Sequence, residues 1–150
     1  MTAATPTPVP RNPISGEVYR LILPNTAGAP RLARDFAASL LVLNRHAGLV
    51  DDARICVTEL VTNAHRHTRT PLIRVEAAVN RRQVTFTVTD EGGPLTGTLA
   101  ALRAGPEQEH GRGLALIESL ASAWGTEAGG PQHPGRKGVW FTLGDQGRSR

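Results

Sequence analysis

Cysteine, lysine and long apolar runs are all scarce in this 150-residue sequence. Cys56 is the only cysteine, so no intramolecular disulfide can form, and we expect a reducing compartment such as the cytoplasm. No apolar run is long enough for a membrane-spanning helix. The N-terminus also lacks the basic start and apolar stretch of a signal peptide. We therefore expect a cytoplasmic protein that does not act at a membrane.

Lysine is nearly absent, since Lys137 is the only lysine among 17 basic residues. The net charge of +4 is of the sign that a nucleic-acid partner would require. However, the arginines are scattered along the chain and do not form a basic run. We interpret them as a compositional bias and expect no direct binding of nucleic acid.

The length and composition predict one globular domain, because 39% of the residues are apolar and 20% are charged. Residues 1–15 are rich in proline and contain few apolar side chains to bury, which predicts a disordered tail. Residues 145–150 read in the same way. The folded domain is therefore expected at 16–144.

Periodicity predicts the order strand, helix, helix, hairpin, helix, strand, strand. Each of the first two helices has one predicted apolar face. The residues are Leu32, Phe36, Leu40 and Leu43 in the first helix, and Ala53, Val57, Leu60, Val61 and Ala64 in the second. The third helix is predicted from Gly113, with Leu114, Ile117, Ala121 and Trp124 on one face and Gly125 as its stop. This order predicts an α+β fold. We expect a two-layer sandwich in which a mixed, mostly antiparallel sheet carries its helices on one face.

Three stretches carry the polar residues that bear on function. In "ELVTNAHRH", Glu59, Asn63 and His67 recur at i, i+4 and i+8 and flank the apolar stripe of the second helix. That spacing is typical of a solvated helix face as well as of a cleft wall. In "VTDEGGPL", Asp90 has the same parity as Val84, Phe86 and Val88, so alternation directs its carboxylate toward the helices. An inward carboxylate at a strand end needs a partner.

The third stretch is "HGRGLALIESLASAWG", in which Gly111, Arg112 and Gly113 lead directly into an apolar helix. Unpaired backbone N–H groups and the helix dipole favour an anion at such a helix start, and glycine allows a phosphate to approach closely. A Gly-x-Gly sequence alone is weak support for a phosphate site.

Together, over residues 16–143, these stretches resemble the ATP-binding boxes of the GHKL superfamily. The sequence is most similar to the anti-sigma-factor serine/threonine kinases and their stand-alone actinobacterial relatives. "ELVTNAHRH" resembles the Glu-x-x-x-Asn box, "DEGG" the Asp-x-Gly box and "GRGLALIESLASAWG" the second glycine box. "KGVWFTL" resembles the last strand of the family.

The resemblance implies ATP and Mg²⁺ as cofactors and assigns a role to each matching residue. Glu59 would be the general base, Asn63 would ligate Mg²⁺, and Asp90 would accept a hydrogen bond from the adenine amino group. The remaining residues would contact the nucleotide: Gly92 at the base, Thr142 closing the adenine pocket, Gly111, Arg112, Gly113 and Leu114 around the phosphates, and Arg66 and His67 near them. Residues 93–110 would form a lid over ATP.

The sequence departs from the family where Pro94 takes the place of the last glycine of the first glycine box. There is also no room for a dimerising helical hairpin that carries a phosphoacceptor histidine, which argues against a sensor histidine kinase. The resemblance therefore implies a regulatory kinase that phosphorylates a serine or threonine of an anti-anti-sigma-like protein. A homodimer is compatible with it.

Three alternatives compete with this kinase. The first is a non-catalytic ATP-binding module that sequesters a sigma factor or another regulator. The second is a metal-dependent hydrolase using Glu59, His65 and His67 with His46 or His110. His65 and His67 are two residues apart and point to different sides of a helix, which disfavours a shared metal. The third is a dinucleotide-binding enzyme, which the missing third glycine after Gly113 disfavours.

Overall fold

The computed structural model describes residues 16–91 and 113–144. In chain order the elements are β1 Glu17–Pro24, α1 Ala29–Leu43, a 3₁₀ turn Ala47–Leu49, α2 Val50–His67, β2 Leu72–Val79, β3 Gln83–Asp90, α3 Gly113–Leu120, β4 Ala123–Ala128 and β5 Lys137–Gly144. The predicted tails at 1–15 and 145–150 and the predicted lid at 93–110 lie outside the described residues.

The five described strands form one sheet in the order β1-β2-β3-β5-β4, and each of the four pairings is antiparallel. The helices pack on one face of this sheet, with α1 against β1 and β2 and α2 against β3 and β5. The predicted α+β class is thereby confirmed. Within residues 16–91 and 113–144, no helix has both the length and the hydropathy needed to cross a bilayer.

Apolar rungs between β3 and β5 form the centre of the core. Directly opposed pairs on the helix-facing side are Val84–Leu143, Phe86–Phe141 and Val88–Val139. All six side chains are buried, and the two phenylalanine rings stack with centroids 5.4 Å apart. The next rung on this side is Asp90–Lys137, so an ionic pair ends an otherwise apolar row.

The predicted packing face of α1 is confirmed at Leu40, which is buried, and at Phe36, which packs partly buried against the core, but it is wrong at the other two positions. The buried residues are Ala29, Ala33, Ala37, Leu40 and Leu41. Of the predicted residues, Leu32 is 53% exposed and Leu43 is 72% exposed. Alanine side chains allow α1 to lie close against α2, and Leu32 and Leu43 lie outside the packed face. Packing distance therefore decided between two apolar stripes that both have helical periodicity.

The predicted face of α2 is confirmed, because all five of its apolar residues are buried. Cys56 and Asn63 are buried with them. Asp51 and Asp52 lie in the first turn, where the helix dipole favours negative charge.

The third helix is shorter than predicted. It ends at Leu120, and Trp124 and Gly125 belong to β4 instead. Gly125 pairs with Trp140, and a Cβ atom built on Gly125 would lie only 2.6 Å from Cζ2 of that indole. The glycine is therefore required for packing against Trp140 and does not stop a helix.

Candidate functional site

Asp90, the last residue of β3, lies where sequence alternation predicted it. It continues the helix-facing row of β3, and only 5% of its surface is exposed. Burying a carboxylate is costly unless a positive charge or hydrogen-bond donors compensate it. Asp90 therefore requires a partner at this strand end.

Lys137 compensates Asp90 from the directly opposed position on β5. Its Nζ atom contacts Oδ1 of Asp90, and Lys137 itself is only 4% exposed. Sequence reasoning did not assign Lys137 to the site. A signal was present, because alternation in "KGVWFTL" places Lys137 on the same side as Val139, Phe141 and Leu143.

A second set of ion pairs lies next to this pair and is more exposed. Oε2 of Glu91 is 3.2 Å from Nη2 of Arg136 and 3.6 Å from Nη1 of Arg74. These side chains are between 29% and 42% exposed, so solvent screens the attraction and each pair contributes little to stability. They differ in this respect from the buried pair of Asp90 and Lys137.

The C-terminal end of α2 lies at the same end of the sheet as Asp90. Nδ1 of His65 in the last turn is 2.8 Å from Oδ1 of Asn25, the residue that follows β1. Asn25 also donates from Nδ2 to the carbonyl of Thr70, and the Thr70 hydroxyl accepts from the backbone N–H of Glu91 at 3.1 Å. These bonds connect the end of α2, the start of β2 and the end of β3.

The three residues in line along α2 have different environments. Asn63 is buried at 7% exposure, Glu59 is half-buried and His67 is exposed. Arg66 is also exposed. Burial along the line is therefore greatest at Asn63 in the middle and least at His67. Among these four side chains, Asn63 is the one that the fold itself buries at this end of the sheet.

Cys56 lies between the apolar stripe of α2 and its acidic flank. Burial raises the pKa of its thiol to about 12, and the carboxylates of Asp52 and Glu59 contribute to the rise by disfavouring the thiolate. At neutral pH the thiol is therefore protonated, which excludes a role as nucleophile.

The predicted phosphate end of the site lies at the start of α3. Gly113 begins the helix, and both Gly113 and Leu114 are buried. α3 packs against α2. The predicted contacts of Gly92, Gly111 and Arg112 lie outside the described residues.

The structure does not bring Thr142 to these residues. It lies on the opposite face of the sheet from Asp90, and its hydroxyl is 2.7 Å from that of Thr85 across the β3–β5 pair. Alternation explains this placement, because Thr142 is an odd number of residues from Lys137. The Thr85–Thr142 contact satisfies two buried hydroxyls in the sheet and places neither at the helix-facing site.

The face of the sheet opposite the described helices carries a groove of about 330 Å³ near the same end of the sheet. Its charged walls include Arg20 and Glu76, which pair with each other at 3.0 Å. The sheet separates this groove from Asn63 and α2. Lys137 also lines the groove, so the groove adjoins the Asp90–Lys137 pair although it lies on the other face of the sheet.

The histidines of the alternative metal site have other partners. His65 binds Asn25, and Nε2 of His46 is 2.7 Å from the carbonyl oxygen of Asn80. Among the described residues, no three His, Cys, Asp or Glu side chains are grouped to hold a metal ion. His110 lies outside those residues. The described part of the chain thus gives no support to a metal-dependent hydrolase.

The layered fold and the buried carboxylate at the end of β3 have the organisation expected of an ATP-binding domain. Comparison with known protein families matches residues 23–142 to the histidine kinase-like ATPase domain. This match spans more than half of the chain, which therefore belongs to that family. A search of curated proteins finds no match.

The donors and acceptors in the described site fit ATP and Mg²⁺. Asp90 provides a buried acceptor for an amino group, and Asn63 provides a side-chain oxygen of the kind that Mg²⁺ prefers. The start of α3 provides backbone N–H groups, which suit a phosphate. The site thus has one group suited to the base, one suited to the metal ion and one suited to the phosphates.

Proposed function

We propose that this chain binds ATP with Mg²⁺ and acts as a serine/threonine protein kinase of the anti-sigma-factor type. The observation that carries the proposal is the buried Asp90 carboxylate, which faces the helix layer at the same end of the sheet as Asn63. Burying a carboxylate at a strand end is costly even when a lysine is paired with it. Recognition of the adenine amino group would account for the carboxylate at this position.

Each residue of the proposed site then has a separate role. Asp90 accepts a hydrogen bond from adenine, Asn63 ligates the metal, and the backbone at Gly113 binds phosphate. Glu59 lies one turn before Asn63 and takes the proton from the acceptor hydroxyl. When bound, ATP would supply the phosphoryl group and Mg²⁺ would offset its negative charge.

We propose a serine or threonine of an anti-anti-sigma-like protein as the acceptor. Positioning, a metal ion and a base are sufficient for phosphoryl transfer, so a small domain can catalyse it. The kinase is proposed to act in the cytoplasm, and a homodimer is compatible with this function.

The test combines binding with transfer. ATP affinity is measured by titration calorimetry with and without Mg²⁺, and transfer is measured from γ-labelled ATP to anti-anti-sigma-like proteins encoded near this gene. Magnesium-dependent binding with transfer to one such protein supports the kinase. Binding without any transfer, together with capture of a sigma factor, would support the non-catalytic module instead. Absence of ATP binding would refute both.

A further inference from the structure

The only lysine of the chain is buried beside the proposed adenine acceptor. Lys137 is 4% exposed, although lysine is rarely buried in proteins without a paired charge. Its Nζ atom contacts Oδ1 of Asp90, which is 5% exposed. Lys137 therefore does not serve as a solvated surface charge, and its burial needs another physical explanation.

Stability alone does not explain the pair. The three preceding rungs on the same side of β3 and β5 are apolar, and an apolar pair at the fourth would extend the core. A buried ion pair often stabilises a protein no better than apolar side chains of similar volume, because both ions lose their hydration. The one ionic pair in this row contains Asp90, the carboxylate to which the proposed function assigns adenine.

The choice of lysine over arginine is informative in a chain whose other basic residues are all arginines. A guanidinium commonly engages both carboxylate oxygens through its planar fork, whereas an ammonium acts as a compact point charge. The ammonium of Lys137 contacts Oδ1. An ionised carboxylate has about four acceptor positions, so it can accept from an ammonium and from other donors at the same time.

We propose that Lys137 is a positioning residue of the adenine site. Its ammonium compensates and orients the Asp90 carboxylate through a point contact, so that the carboxylate accepts a hydrogen bond from the 6-amino group of adenine. This inference rests on the proposed ATP binding. It adds a specificity determinant that acts through Asp90 and does not itself read the base.

The experiment uses the full chain and compares ATP with inosine triphosphate, which has an oxygen in place of the 6-amino group. Calorimetry gives both dissociation constants for the wild type, Lys137→Met and Lys137→Arg, and thermal melting without nucleotide reports on folding. Both variants should lose about tenfold or more in ATP affinity, the size expected when a hydrogen bond to a charged group is lost. Inosine triphosphate affinity should change much less.

Arg136→Met is the matched control. It removes one positive charge at the adjacent position, where the side chain pairs with the more exposed Glu91. A general loss of attraction for the triphosphate would lower the affinity for both nucleotides equally. Arg136→Met should therefore preserve the ratio of ATP to inosine triphosphate affinity that Lys137→Met reduces.

A second comparison tests whether Lys137 acts through Asp90. In the Asp90→Asn background, adding Lys137→Met should leave the affinity ratio unchanged, and a further fall would contradict this. The inference is overturned if a folded Lys137 variant keeps the wild-type ratio. Lys137→Arg retains the charge and keeps the test decisive if Lys137→Met does not fold. A wild type that does not bind ATP would instead refute the proposed function.

Discussion

Nδ1 of His65 lies 2.8 Å from Oδ1 of Asn25 and ties the last turn of α2 to the end of β1. The orientation of the amide is set by its other bond, in which Nδ2 donates to the carbonyl of Thr70. Oδ1 is thus an acceptor, and Nδ1 of His65 donates in this bond. This link fixes the end of the helix that presents Asn63.

Replacing His65 tests the strength of this link. His65→Ala should lower the free energy of unfolding by about 1 kcal/mol, the usual net value of a neutral hydrogen bond. The exposed neighbour Arg66 provides the control, and Arg66→Ala should change stability by less than about 0.5 kcal/mol. Urea denaturation measures both. Equal stabilities for the two variants would show that the His65–Asn25 bond contributes nothing.

Asp90→Asn tests the adenine site. The carboxamide keeps the size of the side chain but removes the negative charge that strengthens a hydrogen bond from the amino group. ATP affinity should fall by about 1–3 kcal/mol. Titration calorimetry measures the change, and an unchanged affinity would refute the assignment of adenine to this strand end.

Gly113→Ala separates phosphate binding from folding. Helix propensity alone favours alanine over glycine by up to about 1 kcal/mol, whereas a methyl group at the helix start would displace a phosphate lying against the backbone. Nucleotide affinity should therefore fall more than the melting temperature of the nucleotide-free protein. A large loss of melting temperature with affinity preserved would mean that Gly113 serves packing.

Substitutions of the three residues in line along α2 should have different effects on ATP binding and phosphoryl transfer. Asn63→Ala should abolish the Mg²⁺ dependence of ATP binding, because it removes a metal ligand. Glu59→Ala should leave binding intact and slow transfer by a factor of about 10²–10⁴, the usual cost of losing a general base. His67→Ala should have a smaller effect because His67 is exposed. Affinities with and without Mg²⁺, together with transfer rates, distinguish the three, and wild-type transfer by Glu59→Ala would exclude Glu59 as the base.

The raised pKa of the Cys56 thiol leads us to expect a loss of stability at alkaline pH. Its thiol has a pKa of about 12 in the folded protein against 9.0 when unperturbed, so above pH 9 the unfolded state binds fewer protons than the folded state. Stability should therefore fall between pH 9 and 12 by at most about 1.4 kcal/mol per pH unit from this group. Cys56→Ala should lack this part of the slope in urea denaturation at several pH values. Identical slopes would show that the thiol is not protected from ionisation.

Residue spacing along the chain is sufficient to determine much of the fold and part of the site. Alternation along β3 correctly directed Asp90 toward the helices, and the stripe of α2 identified every apolar residue that it buries except Cys56. These features depend on geometry within one element, which the chain carries in its own spacing. The same rule applied to β5 would have placed Thr142 on the far face.

Tertiary structure decided the features for which two local patterns were available. In α1 two overlapping apolar stripes have helical periodicity, and packing selected the stripe of Ala29, Ala33, Ala37, Leu40 and Leu41, which leaves Leu32 and Leu43 exposed. Trp124 fits the face of a helix as well as a strand, and pairing with β5 placed it in β4. The contact between Asp90 and Lys137 joins residues 47 positions apart. Only the register between two strands brings them together, because spacing within a single element cannot specify a partner in another.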